Sequence, residues 1–439
     1  MSIMSMLVAG GGFTPLSLFS GGVQGVWYDP SDLSTMFEDS AGTTAVHTPG
    51  NGTADSPVGK ILDKSGNGNH ATQSTSTKRP TLSAKYNLLT YTEDFSNAAW
   101  SKIAQVNGIT PVVTANAGTD PLGGNTATRV VFSRTTATSA DRSYLQQTAT
   151  GTGSTNYTLS CWVKSATGTD QQLSIYGNFG VGGARVWITA TSTWQLFTCS
   201  ETSSAGGTSL PLAIGFFADT TSGLTSDVLI WGAQIKATND GVGLPAYQRV
   251  VDANTYDSVG FPYYLKSDGV DDALVTGNID FSAVNLVDYF PAVRKLTTDY
   301  QCVFEFSSGF ANSSFTFFSQ GQQVDDWYVG IKGAIGLTGY SSYTTNTSPP
   351  RSAIIAASLV IGPTAPVARI NSASATPTTS NANSGTGNLG TWPLYLMARS
   401  GTTYFFNGRI YGLIIRGAAS TAAQISNTET WLNQKAKIY

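Results

Sequence analysis

Between residues 127 and 235 the chain repeats one pattern: a short run rich in β-branched and aromatic residues, then a turn of Gly, Ser, Thr and Asn. The runs are Ala127–Phe132, Tyr157–Val163, Arg185–Ala190, Trp194–Ser200, Leu210–Phe217 and Asp227–Ile235. In Tyr157–Val163 the alternation is plain, with Tyr157, Leu159, Cys161 and Val163 on one face. Strands this short cannot bury an apolar face singly; they must pair into sheets, and the sheets must pack on each other. Composition points the same way. Only five of 439 residues are Glu, 47 are Gly, and 12% are charged, so helix formers are scarce. The expectation is an all-β protein with one helix, Ala422 to Gln434, because Thr421-Ala422-Ala423-Gln424 fits a capping box. Ile425 and Leu432 should face the sheets.

Two turn signatures organise the rest. Asp63-Lys64-Ser65-Gly66-Asn67-Gly68-Asn69-His70 follows the short strand Lys60–Leu62, with Gly66 and Gly68 suited to positive φ. Ser267-Asp268-Gly269-Val270-Asp271-Asp272 stands far downstream. Both resemble the first strands of concanavalin A-like (laminin-G-like) sandwiches, where they normally follow each other closely. Tyr404-Phe405-Phe406-Asn407-Gly408-Arg409-Ile410 is similar to the late hairpin of the same family. The stretch between them resembles a jelly-roll carbohydrate-binding module. That likeness lies in Asn87-Leu88-Leu89, Phe95, Trp100, Tyr157–Val163, Trp194 and the closing Asp227–Gln234. The resemblances imply a concanavalin A-like β-sandwich, residues 26–86 and 251–439, interrupted by a jelly-roll β-sandwich over 87–250.

The first 25 residues lack a positive n-region, and Gly10-Gly11-Gly12 and Pro15 break any helix, so they read as neither signal peptide nor membrane span. Met4, Met6, Leu7, Val8, Phe13, Leu16, Leu18 and Phe19 are too apolar for a solvated tail. Met1–Gly25 is therefore expected to be an extended arm that docks on another protein. Lys and Arg are scattered, never more than two together, and the net charge is −3, which argues against nucleic-acid binding. Cys161, Cys199 and Cys302 form no even framework; although Cys161 and Cys199 could face each other, buried free thiols are expected.

Chemistry has little to work with. His70 belongs to a turn, His47 has no partner motif, and no Gly-x-Ser-x-Gly elbow is present. The glucanases that resemble the outer sandwich carry a tight Glu/Asp/Glu cluster on one strand; here no two Glu lie close together. Asp271-Asp272 and Asp325-Asp326 are adjacent, so on a strand they would point to opposite faces. No cofactor is required. The jelly-roll resemblance implies a structural calcium at Glu93, Asp94 and Asp227, and Asp268 with Asp271 or Asp272 offers a second set. Glycan binding needs an exposed aromatic face and polar groups for hydroxyls. Trp187, which alternates with Arg185 and Thr189 opposite Val186 and Ile188, is one candidate; Trp327, Tyr328, Tyr340 and Tyr343, near loops, are the others. Trp27, Trp194 and Trp231 are assigned to cores.

Over nearly all the chain after residue 25 the sequence resembles tailed-bacteriophage virion proteins. The residues concerned are Gly25-Val26-Trp27-Tyr28-Asp29-Pro30-Ser31-Asp32-Leu33, Met36-Phe37, Asp63–His70 and Asn87–Trp100. The resemblance implies a short fibre, spike or head-decoration subunit, usually a homotrimer, fixed to other virion proteins by its N-terminus and binding host-surface carbohydrate without catalysis. The alternatives are an architectural connector, a glycan depolymerase and a secreted glycan-binding protein.

Overall fold

The computed structural model describes residues 12–179, 183–217, 223–319, 325–344 and 351–439. Within them the chain is all-β, built of antiparallel sheets packed as sandwiches, with one α-helix near the C-terminus.

The strands segregate by sequence. An eight-stranded sheet runs Ala373–Ser374, Val367–Ile370, Arg351–Val360, Leu286–Lys295, Asn407–Arg416, Tyr264–Asp268, Thr81–Ser83, with Gly25–Tyr28 also pairing Asn407–Arg416. A ten-stranded sheet is centred on Leu274–Asp280, Thr391–Leu396, Gln301–Phe306, Ser314–Ser319, Asp325–Lys332 and Thr338–Thr344. Their shared core holds Val287, Tyr289 and Ile415 from the first sheet and Phe304, Phe317, Trp327 and Val329 from the second. Two five-stranded sheets form another sandwich. One orders Gln195–Thr202, Asn156–Ser165, Thr225–Ala237, Ala127–Arg134 and Gly108–Gly118; the other Ala184–Ala190, Gln171–Gly177, Ser209–Phe216, Arg142–Thr150 and Ser101–Gln105. Every buried member of its core lies between Leu89 and Ala237, including Cys161 and Cys199, which are free thiols as expected.

The eight-stranded sheet is covered on its second face too. The helix Ala422–Ala436 lays Leu432 and Ala436 there, with Ile425 at the margin, and its Thr421–Gln424 capping box is complete. Leu286–Lys295 is consequently buried along nearly its whole length and shows no alternation, and Pro291 sits inside it. These two properties hid it from sequence reading. A register shift after Ala292 in its pairing with Asn407–Arg416 follows the proline.

One expectation needs correction. Residues 1–11 lie outside the described residues, but the later part of the arm folds back on its own chain. Pro15–Phe19 forms a 3₁₀ turn, and Leu18 and Phe19 are buried beside Trp27, Phe290 and Leu432, with Phe13 against them. The apolar character of Phe13, Leu18 and Phe19 is thus used internally. The polar stretch 372–390 is also partly packed, with Ser384 and Leu389 buried.

The Asp63–His70 turn clamps the first strand. Asp63 Oδ1 accepts from Trp27 N and Ser65 N, both 2.9 Å, while Oδ2 accepts from Ser65 Oγ at 2.7 Å and Asn69 N at 3.0 Å. His70 Nδ1 receives the Asp63 N–H at 3.0 Å, which gives that histidine a structural partner. Gly66 and Gly68 do take positive φ.

Candidate functional site

The aromatic candidates near residues 327–343 divide by the two-residue period of their strands. Trp327 and Tyr343 are register partners and both point into the core, each 1% exposed. As platform residues they are ruled out by that burial. Tyr328 and Tyr340 face the other way, on the side of the ten-stranded sheet remote from the core. Gly330 lies opposite Tyr340, and a Cβ there would come within 2.7 Å of the Tyr328 ring. The missing side chain is what lets Tyr328 lean across and stack on Tyr340, centroids 5.5 Å apart and planes 23° apart.

Tyr328 also meets Phe318 edge-on, its register partner. Around Phe318 stand two tyrosines that sequence reading did not single out. Tyr300 stacks on it at 4.8 Å, Tyr404 approaches at 6.0 Å, and the two tyrosines meet edge-on at 5.3 Å. They are 38% and 46% exposed. The Arg399 guanidinium lies 4.7 Å over Phe318 and 5.1 Å from Tyr404. It is aimed by Glu305, whose Oε2 accepts from Arg399 Nε at 2.8 Å. The other Glu305 oxygen accepts from Ser307 Oγ, Gly309 N and Phe310 N, so this fully buried carboxylate is a positioning group. The result is a connected face of four tyrosines, one phenylalanine and one arginine. Tyr300 and Tyr404 come from segments more than a hundred residues apart in sequence, so only the sheet pairing reveals their proximity.

Trp187 is on the other sandwich, on Ala184–Ala190, with its side chain 49% exposed. Arg185 lies 5.0 Å over its ring and 5.1 Å over Tyr176. Trp194 is only half-buried, its indole N–H donating to Thr119 O at 3.1 Å.

The acidic sets separate as well. Asp227 gives both carboxylate oxygens to the Arg129 fork, at 2.8 and 2.5 Å. Asp94 accepts from Ser96, and Glu93 accepts from Tyr247 Oη at 3.3 Å, its carboxyl pushed above the ordinary range by burial. Glu93, Asp94 and Asp227 thus each have a different protein partner, and they are not among the acidic groups that lie close enough together to share one ion. Asp268, Asp271 and Asp272 do come together, within 4.8 Å of one another. Asp272 accepts the Asp268 N–H at 3.1 Å, and burial, then the Asp268 charge, raises its pKa to about 7.

Asp268 and Asp272 line a cleft of about 710 Å³ between the two sandwiches, with Lys85, Lys266, Tyr157, Thr150 and Arg409 among its walls. Its floor is an ion-pair lock. Asp240 accepts from Arg409 at 3.1 Å and stands 3.2 Å from Arg294, all three side chains nearly or wholly buried. Arg294 also donates to Asn239 O, Asn239 Oδ1 and Ser352 Oγ. Beside this lock Gln248 staples the strands joining the sandwiches. Its Oε1 accepts from Tyr86 N and Asn87 N, and its Nε2 donates to Ala84 O and Asp257 O.

The fold and these faces define an antiparallel β-sandwich protein that presents aromatic side chains to solvent on sheet surfaces. No family model and no curated protein matches the sequence. Solved structures give remote likenesses. The chain is similar to the enzymatically active domain of tailspike protein 4 of bacteriophage CBA120, at 16% identity over 35% of this chain and 21% of that one, TM-score 0.27. It is similar to the CBM22-1–CBM22-2 tandem of Paenibacillus barcinonensis Xyn10C, at 12% identity over 76% and 99%, TM-score 0.26. The tail fibre protein gp63.1 of an E. coli phage gives 9% identity over 71% and 39%, TM-score 0.19. The chain spans about a fifth of the tailspike domain's length. No helix among the described residues is long and apolar enough to cross a membrane.

Proposed function

We propose that this chain is a non-enzymatic subunit of a bacteriophage particle, a short fibre, spike or head decoration, that recognises carbohydrate on the host surface. The observation that carries the reading is the connected cluster of half-buried Tyr328 and Tyr340 with exposed Tyr300 and Tyr404. Pyranose rings present apolar C–H faces that stack on aromatic rings and hydroxyls that need nearby polar groups, and this surface offers phenol hydroxyls and a guanidinium beside the rings. The exposed rings of Tyr300 and Tyr404 cost the free protein apolar exposure, which a ligand that covers them recovers. The buried Glu305 serves Arg399 and the loop after its strand, a role that suits a recognition surface better than acid–base turnover.

The virion assignment rests on the sequence resemblance of Gly25–Leu33, Asp63–His70 and Asn87–Trp100. It carries with it a concanavalin A-like outer sandwich, a trimeric assembly and attachment through the first residues of the chain. The test is a glycan array with the full chain, repeated with Tyr328→Ala/Tyr340→Ala, together with a reducing-sugar assay on every polysaccharide bound. Binding lost in the variant, with no sugar released, is the expected result. Retention of all binding by the variant removes this face from the reading, sugar release makes the protein a depolymerase, and no binding to any glycan leaves an architectural subunit.

A further inference from the structure

The cleft between the two sandwiches holds more polar groups than the fold itself uses. At about 710 Å³ it lies within the roughly 300–1,000 Å³ of small-ligand sites, which favour the junction of two domains. Its base is one register row on the second face of the eight-stranded sheet: Thr81, Lys266, Arg409 and Arg294, on four neighbouring strands. Asp240 of the other sandwich caps Arg409 and Arg294. Lys266, the third cation of the row, is exposed and has neither ion pair nor side-chain hydrogen bond among the described residues. The half-buried Asn407 amide and the exposed Thr150 hydroxyl are likewise without side-chain hydrogen bonds there. Lys85, half-buried nearby, makes no ion pair with a described residue, and burial lowers its pKa despite the charges of Asp55 and Asp252. Asp268 and Asp272 each spend one carboxylate oxygen on their own turn, Asp268 Oδ1 on Val270 N and Asp271 N, and Asp272 Oδ2 on Asp268 N. Their other oxygens have no hydrogen bond among the described residues. Half-buried Leu88 and Leu296, one from each sandwich, add apolar surface.

The charges balance. Arg79, Lys85, Lys266, Arg294 and Arg409 line the cleft; against them stand Asp55, Asp240, Asp268 and Asp272, with Asp271 in the same cluster as the last two. Asp272 is close to half-ionised at neutral pH, so the cleft stays near neutral and has no field to draw a polyanion or a polycation. What it offers is donors beside acceptors. Lys266 and Asp268 stand two residues apart on one strand and point the same way. A hydroxyl group both donates and accepts. Neighbouring hydroxyls of a sugar can therefore take a bond from an ammonium or amide and give one to a carboxylate, while ring C–H groups meet Leu88 and Leu296. We infer that this cleft binds a neutral saccharide, with Lys266, Lys85 and Asn407 donating to its oxygens and Asp268 and Asp272 accepting from its hydroxyls. The inference rests on the glycan-recognition reading above and gives it a second site, led by hydrogen bonds where the tyrosine face is led by stacking.

The experiment is isothermal titration of the full chain, in EDTA so that no cation occupies the carboxylates. The ligands are neutral oligosaccharides (galactan, mannan, glucan and xylan hexamers), a uronic-acid hexamer and a chitosan hexamer. Binding of a neutral oligosaccharide that changes little between low and high salt is the expected result. Lys266→Ala should weaken it about tenfold, the worth of one charge-assisted hydrogen bond. Thr150→Trp, which places an indole in the cleft from an exposed position, should abolish it, and either variant serves if the other does not fold. Titration of Tyr328→Ala/Tyr340→Ala at high sugar concentration should show this site alone, too weak by itself to survive the washing of an array. Neutral binding untouched by both cleft variants, or binding of the charged hexamers alone, overturns the inference. If that binding is lost in Tyr328→Ala/Tyr340→Ala, the broader reading still stands; binding of no glycan removes both.

Discussion

Asp240 is where a single substitution should reach furthest. It follows the strand Thr225–Ala237 of one sandwich, yet its carboxylate neutralises Arg294 and Arg409 on the eight-stranded sheet of the other. Side-chain exposure is 4% for Asp240 and 0% for Arg294, so water cannot replace the lost partner. Asp240→Ala leaves two guanidiniums without their counter-ion. Removing one member of a buried pair costs about 3–5 kcal/mol, chiefly the penalty of the charge left behind. The figure should fall toward the lower end, because Arg294 keeps its bonds to Asn239 and Ser352, and Arg409 keeps the Tyr264 ring 4.4 Å away. Asp240→Asn, which retains an acceptor oxygen and loses the charge, should cost about half as much. Adding Arg409→Met to Asp240→Ala should return part of the loss, since one stranded charge disappears. Urea unfolding followed by tryptophan fluorescence, with hydrogen exchange along Leu286–Lys295, reads both the size and the place of the effect. A loss below about 1 kcal/mol in Asp240→Ala, with unchanged exchange on that strand, would falsify the view that this lock ties the sandwiches together.

Three further outcomes follow from the same geometry. Trp327→Ala opens a hole in the core and should cost about 3–5 kcal/mol, whereas Tyr328→Ala, one residue on, should cost far less and act on glycan binding; equal melting temperatures for the two would refute the facing assigned to them. Asp272 has its pKa raised from 3.8 to about 7, so the folded state holds a proton that the unfolded chain releases between those values. Its contribution therefore turns unfavourable as pH rises through that window, by roughly 2 kcal/mol at pH 8 once solvent at the cleft is allowed for, and Asp272→Asn should flatten the stability curve between pH 4 and 8; parallel curves for both proteins count against it. Replacing residues 88–247 by a short Gly/Ser bridge should leave a cooperatively folded sandwich from the remainder, weakened by the uncapping of Arg294 and Arg409, and loss of all cooperative unfolding by circular dichroism sinks that expectation.

What was legible in the sequence is what local periodicity encodes. Tyr157–Val163 alternates because one face is solvated or lightly covered, and its core residues were readable directly. The capped helix was readable because Thr421 and Gln424 carry their own signal. Leu286–Lys295 was not, since a strand covered on both faces has no alternation to show. The aromatic face was half legible. Proximity to loops suggested Trp327, Tyr328, Tyr340 and Tyr343 together, but adjacency to a loop says nothing about which way a side chain points. Trp327 and Tyr328 are neighbours and must oppose each other; so must Tyr340 and Tyr343, three apart. Tyr300 and Tyr404 meet through non-local strand order, which no local pattern carries. For the carboxylates, sequence could list Glu93, Asp94 and Asp227 but not that Arg129 had already taken the last of them.

The Gln248 staple has a consequence for how such a chain can change over time. One amide side chain holds the outgoing strand against the incoming one at Tyr86–Asn87, so the sandwich that starts and finishes there receives both ends of the excursion at a single spot. Closing a loop between fixed ends becomes harder by only about 0.6 kcal/mol for each doubling of its length. The host sandwich is thus nearly indifferent to what the excursion contains, provided the newcomer's termini lie side by side. A different inserted domain could occupy the same socket by recombination at residues 87 and 248 while the supporting sandwich stayed as it is.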